Sequence, residues 1–297
     1  MNVLILGANG QLGQSFAERV QFHQGSKHEF TFLGKNDVDI TDLDTLMSVA
    51  TTVCPDVVIN AAAWTDVKSA EDDYEMAFNV NVLGVSNIAK ATNSLKTRMI
   101  QVSTDYVFKG DGCAPIGESE DTNPINNYGR TKAEAEKYLL SNHSDRSLII
   151  RTAWLYGPFG SNFLKSILRK GLTRPSERLE VVCDQWGQPT SSLDLAEAIL
   201  NLALSNAQSG VFHGTNAGAT NWFDFARIAF EHAGLDPTRI TPIKSSEMDS
   251  KVSRPKYSVL GHDSWGLSGY EAMRHWEEPL QEIVIRIRAD LETTYGV

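Results

Sequence analysis

A glycine-rich turn near the N-terminus constrains the fold more than any other feature of the chain. Val3–Leu6 form an uninterrupted apolar run, and the sequence GANGQLG follows at once from Gly7 to Gly13. Glycine permits a tight turn, and it lets backbone N–H groups at a helix N-terminus approach a pyrophosphate without a Cβ in the way. An ordinary βα turn can also be rich in glycine. The position of this one, between a first strand and a first helix, favours a dinucleotide-binding turn.

Short apolar runs and amphipathic stretches alternate through the first 150 residues. The runs are short and almost uninterrupted by polar residues, as expected of strands buried on both faces. The predicted strands are Val3–Leu6, Phe30–Leu33, Val57–Ile59, Met99–Val102 and Leu148–Ile150. The predicted helices are Gln11 to about Gln21, Asp42–Val53, Tyr74 to about Ser94, and Tyr128–Leu140. This alternation predicts an α/β protein with a doubly wound, Rossmann-like parallel sheet.

The sequence pattern changes after about Gly157, where helical stretches are separated by long loops rich in Gly, Pro, Ser and Thr. These stretches are Phe163–Leu172, Ser192–Ala203, Trp222–Ala233 and Pro279–Leu291. Ser191 and Asp194 have the spacing of a capping box for the second of them. We therefore expect a dinucleotide-binding domain over residues 1–157. We expect residues 158–297 to form mainly a smaller, less regular substrate-binding lobe, with segments that interleave with the first domain.

Charge and cysteine usage exclude several classes of function. The chain carries 27 Lys plus Arg against 37 Asp plus Glu, a net charge of −10. A nucleic-acid or membrane-surface binder needs a basic face, so we expect neither partner. The three cysteines lie far apart and no HxxxH pair occurs, which predicts neither a disulfide framework nor a metal site. Since there is no basic leader and no apolar stretch of about 18 residues, we expect a cytoplasmic protein.

The end of the second predicted strand bears on the choice of dinucleotide. Sites for NAD usually place an acidic residue there, whereas a basic residue suits the 2′-phosphate of NADPH. This strand ends Leu33-Gly34-Lys35-Asn36, without an acid at the tip. Lys35 either pairs with the phosphate or is an ordinary solvated lysine. The pattern favours NADPH, with NADH as the alternative.

A tyrosine and a lysine four residues apart, Tyr128 and Lys132, form the only YxxxK pair of the chain. They share one face of a predicted helix, and Ser103-Thr104-Asp105 follows the fourth predicted strand. In this topology both segments reach the carboxyl edge of the sheet, where a bound nicotinamide would lie. A tyrosine packed on the core beside an exposed lysine is the competing interpretation. The shared location favours a catalytic pair.

Each of these residue types suits one task in the reduction of a carbonyl group. Tyr128 can donate a proton to the carbonyl oxygen, but its ordinary pKa near 10 makes the tyrosinate costly. Lys132 is expected to stabilise the tyrosinate and to lower the pKa of Tyr128 toward the working range. Thr104 can hydrogen-bond the developing oxyanion.

Motifs along nearly the whole chain resemble the dTDP-4-dehydrorhamnose reductases, a family of extended short-chain dehydrogenases/reductases. The motifs, in order, are GANGQLG from Gly7, DITD from Asp39, PDVVINAAAWTDV from Pro55, STDYVFKG from Ser103, NPINNYGRTKAEAE from Asn123, RTAWLYG from Arg151, DQWGQPT from Asp184 and SRPKYSVL from Ser253. The resemblance implies that NAD(P)H reduces the 4-keto group of dTDP-4-dehydro-6-deoxy-L-mannose to give dTDP-L-rhamnose. It leaves a homodimer open.

The resemblance also assigns roles to residues. Its catalytic residues are Thr104, Tyr128 and Lys132. The cofactor residues are Gly10, Gln11 and Leu12 at the pyrophosphate, Asp39 and Ile40 at the adenine, and Ala62, Ala63 and Thr65 beyond the third strand. Asp105 and Trp154 would contact the deoxysugar, since a flat indole suits the apolar face of a sugar ring. The residues that would hold the substrate's nucleotide or phosphates are Asp184, Gln185 and Arg254, although Arg254 also suits a surface salt bridge.

Some positions depart from the family pattern. They are Trp64 for Tyr or His, Lys68 for Asp, Ala135 for Gly and Tyr257 for Asn, while Ser15 stands where some relatives use a glutamate for an interface magnesium. None of these departures removes a catalytic group, but Trp64 and Lys68 leave open the details of the substrate. The alternatives are a reductase of a different dTDP-4-keto-6-deoxyhexose, a sugar-nucleotide epimerase or dehydratase, and a non-catalytic subunit like the regulatory subunits of methionine adenosyltransferase.

Overall fold

Six parallel strands form the central sheet of the protein. The structure is a computed structural model that describes residues 1–23, 27–248 and 250–296. The strands of this sheet are β1 (Asn2–Leu6), β2 (Glu29–Leu33), β3 (Val57–Asn60), β4 (Arg98–Thr104), β5 (Ser147–Thr152) and β10 (Gly210–His213). Their order across the sheet is β10-β5-β4-β3-β1-β2. Three two-stranded pairs are formed by β6 (Leu155–Tyr156) with β9 (Thr190–Ser191), β7 (Leu179–Val182) with β12 (Ile240–Ile243), and β8 (Trp186–Gly187) with β11 (Thr220–Asn221).

Eleven α-helices occur in the described residues. They are α1 (Gln11–Arg19), α2 (Leu43–Val53), α3 (Val67–Asp72), α4 (Tyr74–Phe78), α5 (Gly84–Thr92), α6 (Asn127–Asn142), α7 (Phe163–Thr173), α8 (Ser192–Ala203), α9 (Trp222–His232), α10 (Asp263–Leu267) and α11 (Glu277–Tyr295). Short 3₁₀ turns lie at Val20–His23, Asn93–Leu95, Asp105–Val107, Pro237–Arg239 and Ser245–Glu247.

Both faces of the sheet are covered, which follows from the two-residue period of its strands. Val3 and Ile5 of β1 pack in one core with α1 and α8, whereas Leu4 and Leu6 pack in a second core with α2, α5 and α6. Successive side chains of a strand point to opposite faces, so an uninterrupted apolar strand needs a layer on each side. The predicted doubly wound α/β fold is confirmed.

The second half of the chain contributes to two different cores. Helices α7, α9 and α11 pack with β7 and β12 in a core of their own. Between them, however, the chain returns to the main sheet. Helix α8 packs beside α1, and β10 pairs in parallel with β5.

Two local predictions need correction. The helix expected from Tyr74 to about Ser94 is interrupted by one π-helical turn at Asn79–Leu83, because Asn81 turns inward and hydrogen-bonds other segments. The capping box at Ser191 forms only by half: the Ser191 hydroxyl accepts from the Asp194 N–H, but the Asp194 carboxylate pairs with Arg274 instead. The Ser191 N–H donates to an Asn216 oxygen.

None of the described helices combines the length and apolarity that a membrane span requires. All three cysteines are free. Across the described residues, no three His, Cys, Asp or Glu side chains lie close enough together to hold a metal ion.

Candidate active site

A cavity of about 630 Å³ opens at the carboxyl edge of the sheet. Its walls come from the turn after β1, the segment after β3, the ends of β4 and β5, and the first turns of α6. This edge is where open parallel sheets bind ligands. The residues expected at the site that line this cavity are Gly10, Gln11, Leu12, Ala63, Thr65, Thr104, Asp105, Tyr128, Lys132 and Trp154.

Thr104 and Tyr128 meet at the floor of the cavity because α6 starts close to the end of β4. The Asn126 side chain caps α6 by accepting from the Gly129 N–H at 2.7 Å. A Cβ at Gly129 would lie 2.1 Å from the Tyr106 carbonyl oxygen, so glycine permits this close approach. Tyr128, the second residue of the helix, thereby shares a hydrogen bond with the Thr104 side chain.

The electrostatics of the pair differ from the expectation in one respect. Burial, reinforced by Asp105, raises the pKa of Tyr128 above its usual value. Lys132 was expected to lower it. Its Nζ instead donates to the Val102 carbonyl at 2.6 Å, and burial lowers its own pKa to about 8, against the attraction of Glu136. In the protein alone, desolvation therefore sets the direction of both pKa shifts.

Asp105 lies beside the phenol as a second titratable group. Burial raises its pKa to about 6, and its Oδ1 accepts from the Thr104 hydroxyl at 3.0 Å. Such a carboxyl is an acceptor for a ligand hydroxyl at neutral pH.

Three polar atoms that line this cavity are buried without a hydrogen-bond partner among the described residues. They are Gln11 Nε2, Asp105 Oδ2 and Thr152 Oγ1. Buried polar atoms are nearly always paired, so three orphans in one cavity indicate that it is built for a polar ligand. One donor near the glycine turn and two oxygens at the strand ends fit a nicotinamide dinucleotide together with a hydroxylated substrate.

Glycine stands at each of three positions of the turn for a different structural reason. Gly7 has φ +86°, and a Cβ there would lie 2.6 Å from the Ala62 nitrogen. A Cβ at Gly13 would lie 2.2 Å from the Gly7 carbonyl oxygen, so Gly13 serves the packing of the turn and lines no described cavity. Gly10 is the N-cap of α1 and borders two cavities, as a residue under a bridging pyrophosphate should.

A second cavity of about 370 Å³ lies on the other side of this turn. The residues expected at the cofactor that line it are Gly7, Gly10, Lys35, Asp39, Ile40, Ala62 and Ala63. The Asp39 carboxylate accepts from the Thr41 N–H and hydroxyl, and these bonds, with the charge of Lys35, lower its pKa. The two cavities share Asn9, Gly10, Ala61 and Ala63, which suits a ligand that spans both.

A third cavity of about 250 Å³ contains Gln185 and Arg254, two of the three residues expected at the substrate's nucleotide. Asp184 does not line it. Its carboxylate accepts from the N–H and hydroxyl of Ser245, which holds the Ser245–Glu247 turn in place.

Trp154 lines the first cavity and packs against a residue that was not predicted at the site from the sequence. Its backbone has φ +46°, and its indole stacks on Trp222. Trp222 lines both cavities. Thr152 was also missed, although it stands in the motif RTAWLYG two residues before Trp154 and could have been found from that spacing.

The positions that depart from the family pattern lie in different surroundings. Trp64 lines the second cavity, and its Nε1 donates to Ser69 Oγ at 2.9 Å. Lys68 is exposed on α3, and Ala135 is buried in α6. The buried Ser15 hydroxyl donates to Ser192 Oγ at 2.8 Å.

Comparison with known proteins gives consistent results. A family model described as the RmlD substrate binding domain matches residues 1–289. A dTDP-4-keto-6-deoxy-D-glucose reductase of Streptomyces niveus is 40% identical over 97% of this chain and 98% of its own length. A dTDP-4-dehydrorhamnose reductase of Streptomyces griseus is 38% identical over 94% and 91%. The crystal structure of a Bacillus anthracis dTDP-4-dehydrorhamnose reductase in complex with NADP has a TM-score of 0.90 and 35% identity, covering 95% of this chain and 98% of that one.

Proposed function

Since this chain belongs to the RmlD substrate binding domain family, that of the dTDP-4-dehydrorhamnose reductases, we propose that it reduces dTDP-4-dehydro-6-deoxy-L-mannose to dTDP-L-rhamnose. The chain is a nicotinamide-dependent oxidoreductase, as the sequence predicted. The ketosugar and the roles of individual residues are the parts of the proposal that need experiment.

One observation carries the proposal: the Tyr128 hydroxyl lies beside Thr104 on the floor of a cavity that is continuous with the dinucleotide turn. A proton donor for a ketone must be within reach of the oxygen that hydride attack leaves negative. Lys132, one helical turn later, lines the same cavity.

The chemistry divides between the cofactor and the chain. NADPH, when bound, supplies the hydride for the carbonyl carbon. Tyr128 gives its hydroxyl proton to the carbonyl oxygen, so the phenol O–H bond breaks and the alcohol O–H bond forms. The Lys132 ammonium stabilises the tyrosinate that remains. Thr104 donates a hydrogen bond to the oxygen as its charge develops.

The other expected residues act by binding. We assign Asp105 and Trp154 to the deoxysugar, and Gln185 and Arg254 to the nucleotide half of the substrate in the third cavity. Asp184 holds the Ser245–Glu247 turn beside them. On this proposal, the segments of residues 158–297 that form the third cavity are the substrate lobe.

A second ketosugar is also supported by one observation. The Streptomyces niveus relative, at 40% identity, carries the name of a dTDP-4-keto-6-deoxy-D-glucose reductase. A reductase of that ketosugar would use the same proton donor and differ in the contacts around the ring. The configuration of the product separates the two.

The test is an absorbance assay of NADPH oxidation with each ketosugar, made enzymatically, followed by NMR of the product. We expect turnover with dTDP-4-dehydro-6-deoxy-L-mannose and a rhamnose product. Faster turnover with dTDP-4-keto-6-deoxy-D-glucose would transfer the assignment to the second ketosugar. Protein that purifies with stoichiometric NAD and converts a sugar nucleotide without added reductant would contradict both and favour an epimerase or dehydratase.

A further inference from the structure

A buried ion pair lies behind the catalytic helix, one turn beyond Lys132. Glu136 is 1% exposed and Arg151 3% exposed. The guanidinium Nε lies 3.1 Å from both carboxylate oxygens of Glu136, and Nη2 lies 2.7 Å from Oε2. This forked geometry fixes the orientation of the carboxylate as well as its position.

The pair joins α6 to the ends of the two strands that border the cavity. Glu136 Oε1 also accepts from the Ser103 hydroxyl at 2.5 Å, and Ser103 immediately precedes Thr104 in β4. Arg151 lies next to Thr152 at the end of β5. The Glu136 carboxylate therefore links the catalytic helix, on which it lies, to the ends of β4 and β5.

The surroundings of Arg151 are complete without any ligand. Its Nη1 donates to the Glu118 carbonyl at 3.2 Å, and its guanidinium carbon lies 4.8 Å from the Phe108 ring centroid. His213 Nε2 lies 3.4 Å from Nη1, and burial lowers the pKa of His213 to about 3, so that this neighbour is uncharged in the working range. Arg151 is therefore a fixed positive partner for Glu136.

Stability alone gives little reason for such a pair. Removing two charges from water is costly, and well-packed apolar residues often stabilise a core as much or more. Next to a buried catalytic lysine, however, a charged pair has an electrostatic role. Burial lowers the pKa of Lys132, and Glu136 at i+4 opposes that effect.

We propose that Glu136 is a positioning residue of the active site: with Arg151 it fixes Lys132 and the end of β4, and its carboxylate stabilises the Lys132 ammonium. Lys132 in turn stabilises the tyrosinate of Tyr128, so the inference rests on the proposed function. Glu136 itself lines no described cavity.

Several other charged or titratable groups lie near Lys132 or contact α6. None of them takes the place of the Glu136 carboxylate. The groups near Lys132, in the cavity or behind it, are Tyr128 and Glu136 on α6, Asp105 and Tyr106 after β4, and Arg151 on β5. Helices α3 and α4 contribute Glu71, which accepts from the Asn127 N–H, and Tyr74, which donates to Glu134. Among the residues that the structure describes, Glu136 is the one charged group that raises the pKa of Lys132 against the effect of burial.

The test compares kcat against pH for Glu136→Gln, Glu136→Asp and the matched control Glu134→Gln. Glu134 lies on the same helix, but it is exposed and faces Tyr74. We expect Glu136→Gln to move the alkaline limb down by about one pH unit, close to a tenfold loss of kcat above the limb, with little loss at acidic pH. Glu136→Asp keeps the charge and should keep the limb, at a lower kcat. Glu134→Gln should leave the profile unchanged.

An equal loss of kcat at every pH in Glu136→Gln, with an unmoved limb, would show a merely structural role and overturn the proposal. A wild-type protein without turnover on either ketosugar overturns the proposed function, and this inference with it, and is a different result from an active enzyme with an unmoved limb. If Glu136→Gln does not fold, Glu136→Gln/Arg151→Gln removes both charges, and a smaller downward shift is expected, because the loss of the positive charge of Arg151 opposes it. An unmoved limb there also overturns the proposal.

Discussion

The indole of Trp154 stacks on the indole of Trp222, with ring centroids 3.7 Å apart and ring planes within 11° of parallel. Phe163 meets Trp222 edge-on at 4.7 Å. Aromatic rings in such contact form a rigid apolar wall. Because Trp222 borders both the first cavity and the third cavity, we expect this wall to separate the reacting sugar from the nucleotide in the proposed complex.

Gly187→Ala tests whether the position of Trp154 matters. A Cβ at Gly187 would lie 2.5 Å from Trp154 Cε2, so the indole must move. We expect KM for the ketosugar to rise about tenfold, the equivalent of roughly 1.4 kcal/mol of binding, while the affinity for NADPH stays unchanged. Gly112→Ala is the control, because no atom lies within 4 Å of its added Cβ. Equal kinetics in both variants would show that Trp154 does not contact the sugar.

Tyr128→Phe removes the proposed proton donor and leaves the ring in place. Loss of general-acid catalysis should lower kcat by at least about 100-fold, with an unchanged circular dichroism spectrum and melting temperature. The control is Tyr74→Phe, whose hydroxyl bonds Glu134 at the surface and which should retain full activity. A Tyr128→Phe enzyme with wild-type kcat would reject the mechanism.

Lys35→Ala tests the choice between NADPH and NADH. Lys35 lines the second cavity beside Asp39, where the adenosine half of the cofactor is proposed to lie. A lysine within reach of the 2′-phosphate should discriminate the two cofactors by about 1.5–3 kcal/mol, since hydrogen bonds to charged groups are of that size. We expect KM for NADPH to rise and KM for NADH to stay constant, measured side by side. Lys90→Ala, exposed on α5, should change neither. A parallel change for both cofactors would remove Lys35 from phosphate recognition.

Asp105→Asn should stabilise the protein at neutral pH while it impairs activity. The folded-state pKa of Asp105, about 6, lies above its unfolded value of 3.8, so the folded protein binds the proton more tightly. The free energy of unfolding therefore falls as pH rises from about 4 to 6, by about 2–3 kcal/mol for this group. Urea unfolding at pH 4, 6 and 8 should show wild type and variant converging at pH 4, with the variant more stable at pH 8. A constant difference at all three values would contradict the raised pKa.

The parts of the fold and site that could be predicted from the sequence are those with local causes. The turn from Gly7 to Gly13 needs glycines within one short segment, and its neighbours β1 and α1 follow from their own periodicity. Tyr128 and Lys132 share a helix face because four residues make about one helical turn. Their cavity follows from the rule that parallel strands end at one edge.

Other features depend on residues far apart in the chain. The return of α8 and β10 to the main sheet is decided by contacts with α1 and β5, which no local pattern contains. The π-helical turn at Asn79–Leu83 depends on Asn81, whose amide bonds the Trp64 backbone and the Thr131 hydroxyl. The engagement of Asp184 by Ser245 likewise joins residues 61 positions apart.

The sequence by itself determined the class of fold, the glycine-rich turn after β1 and the shared helix face of Tyr128 and Lys132, since periodicity, glycine geometry and helical spacing act within a few residues. Only the tertiary structure decided the electrostatics of these two side chains. Burial raises the pKa of Tyr128 and lowers that of Lys132. The Glu136 carboxylate opposes the lowering of the Lys132 pKa, and Arg151 on β5 holds that carboxylate in place. Desolvation and charge pairing depend on what the folded chain packs around a group, and that packing is not a property of any single segment.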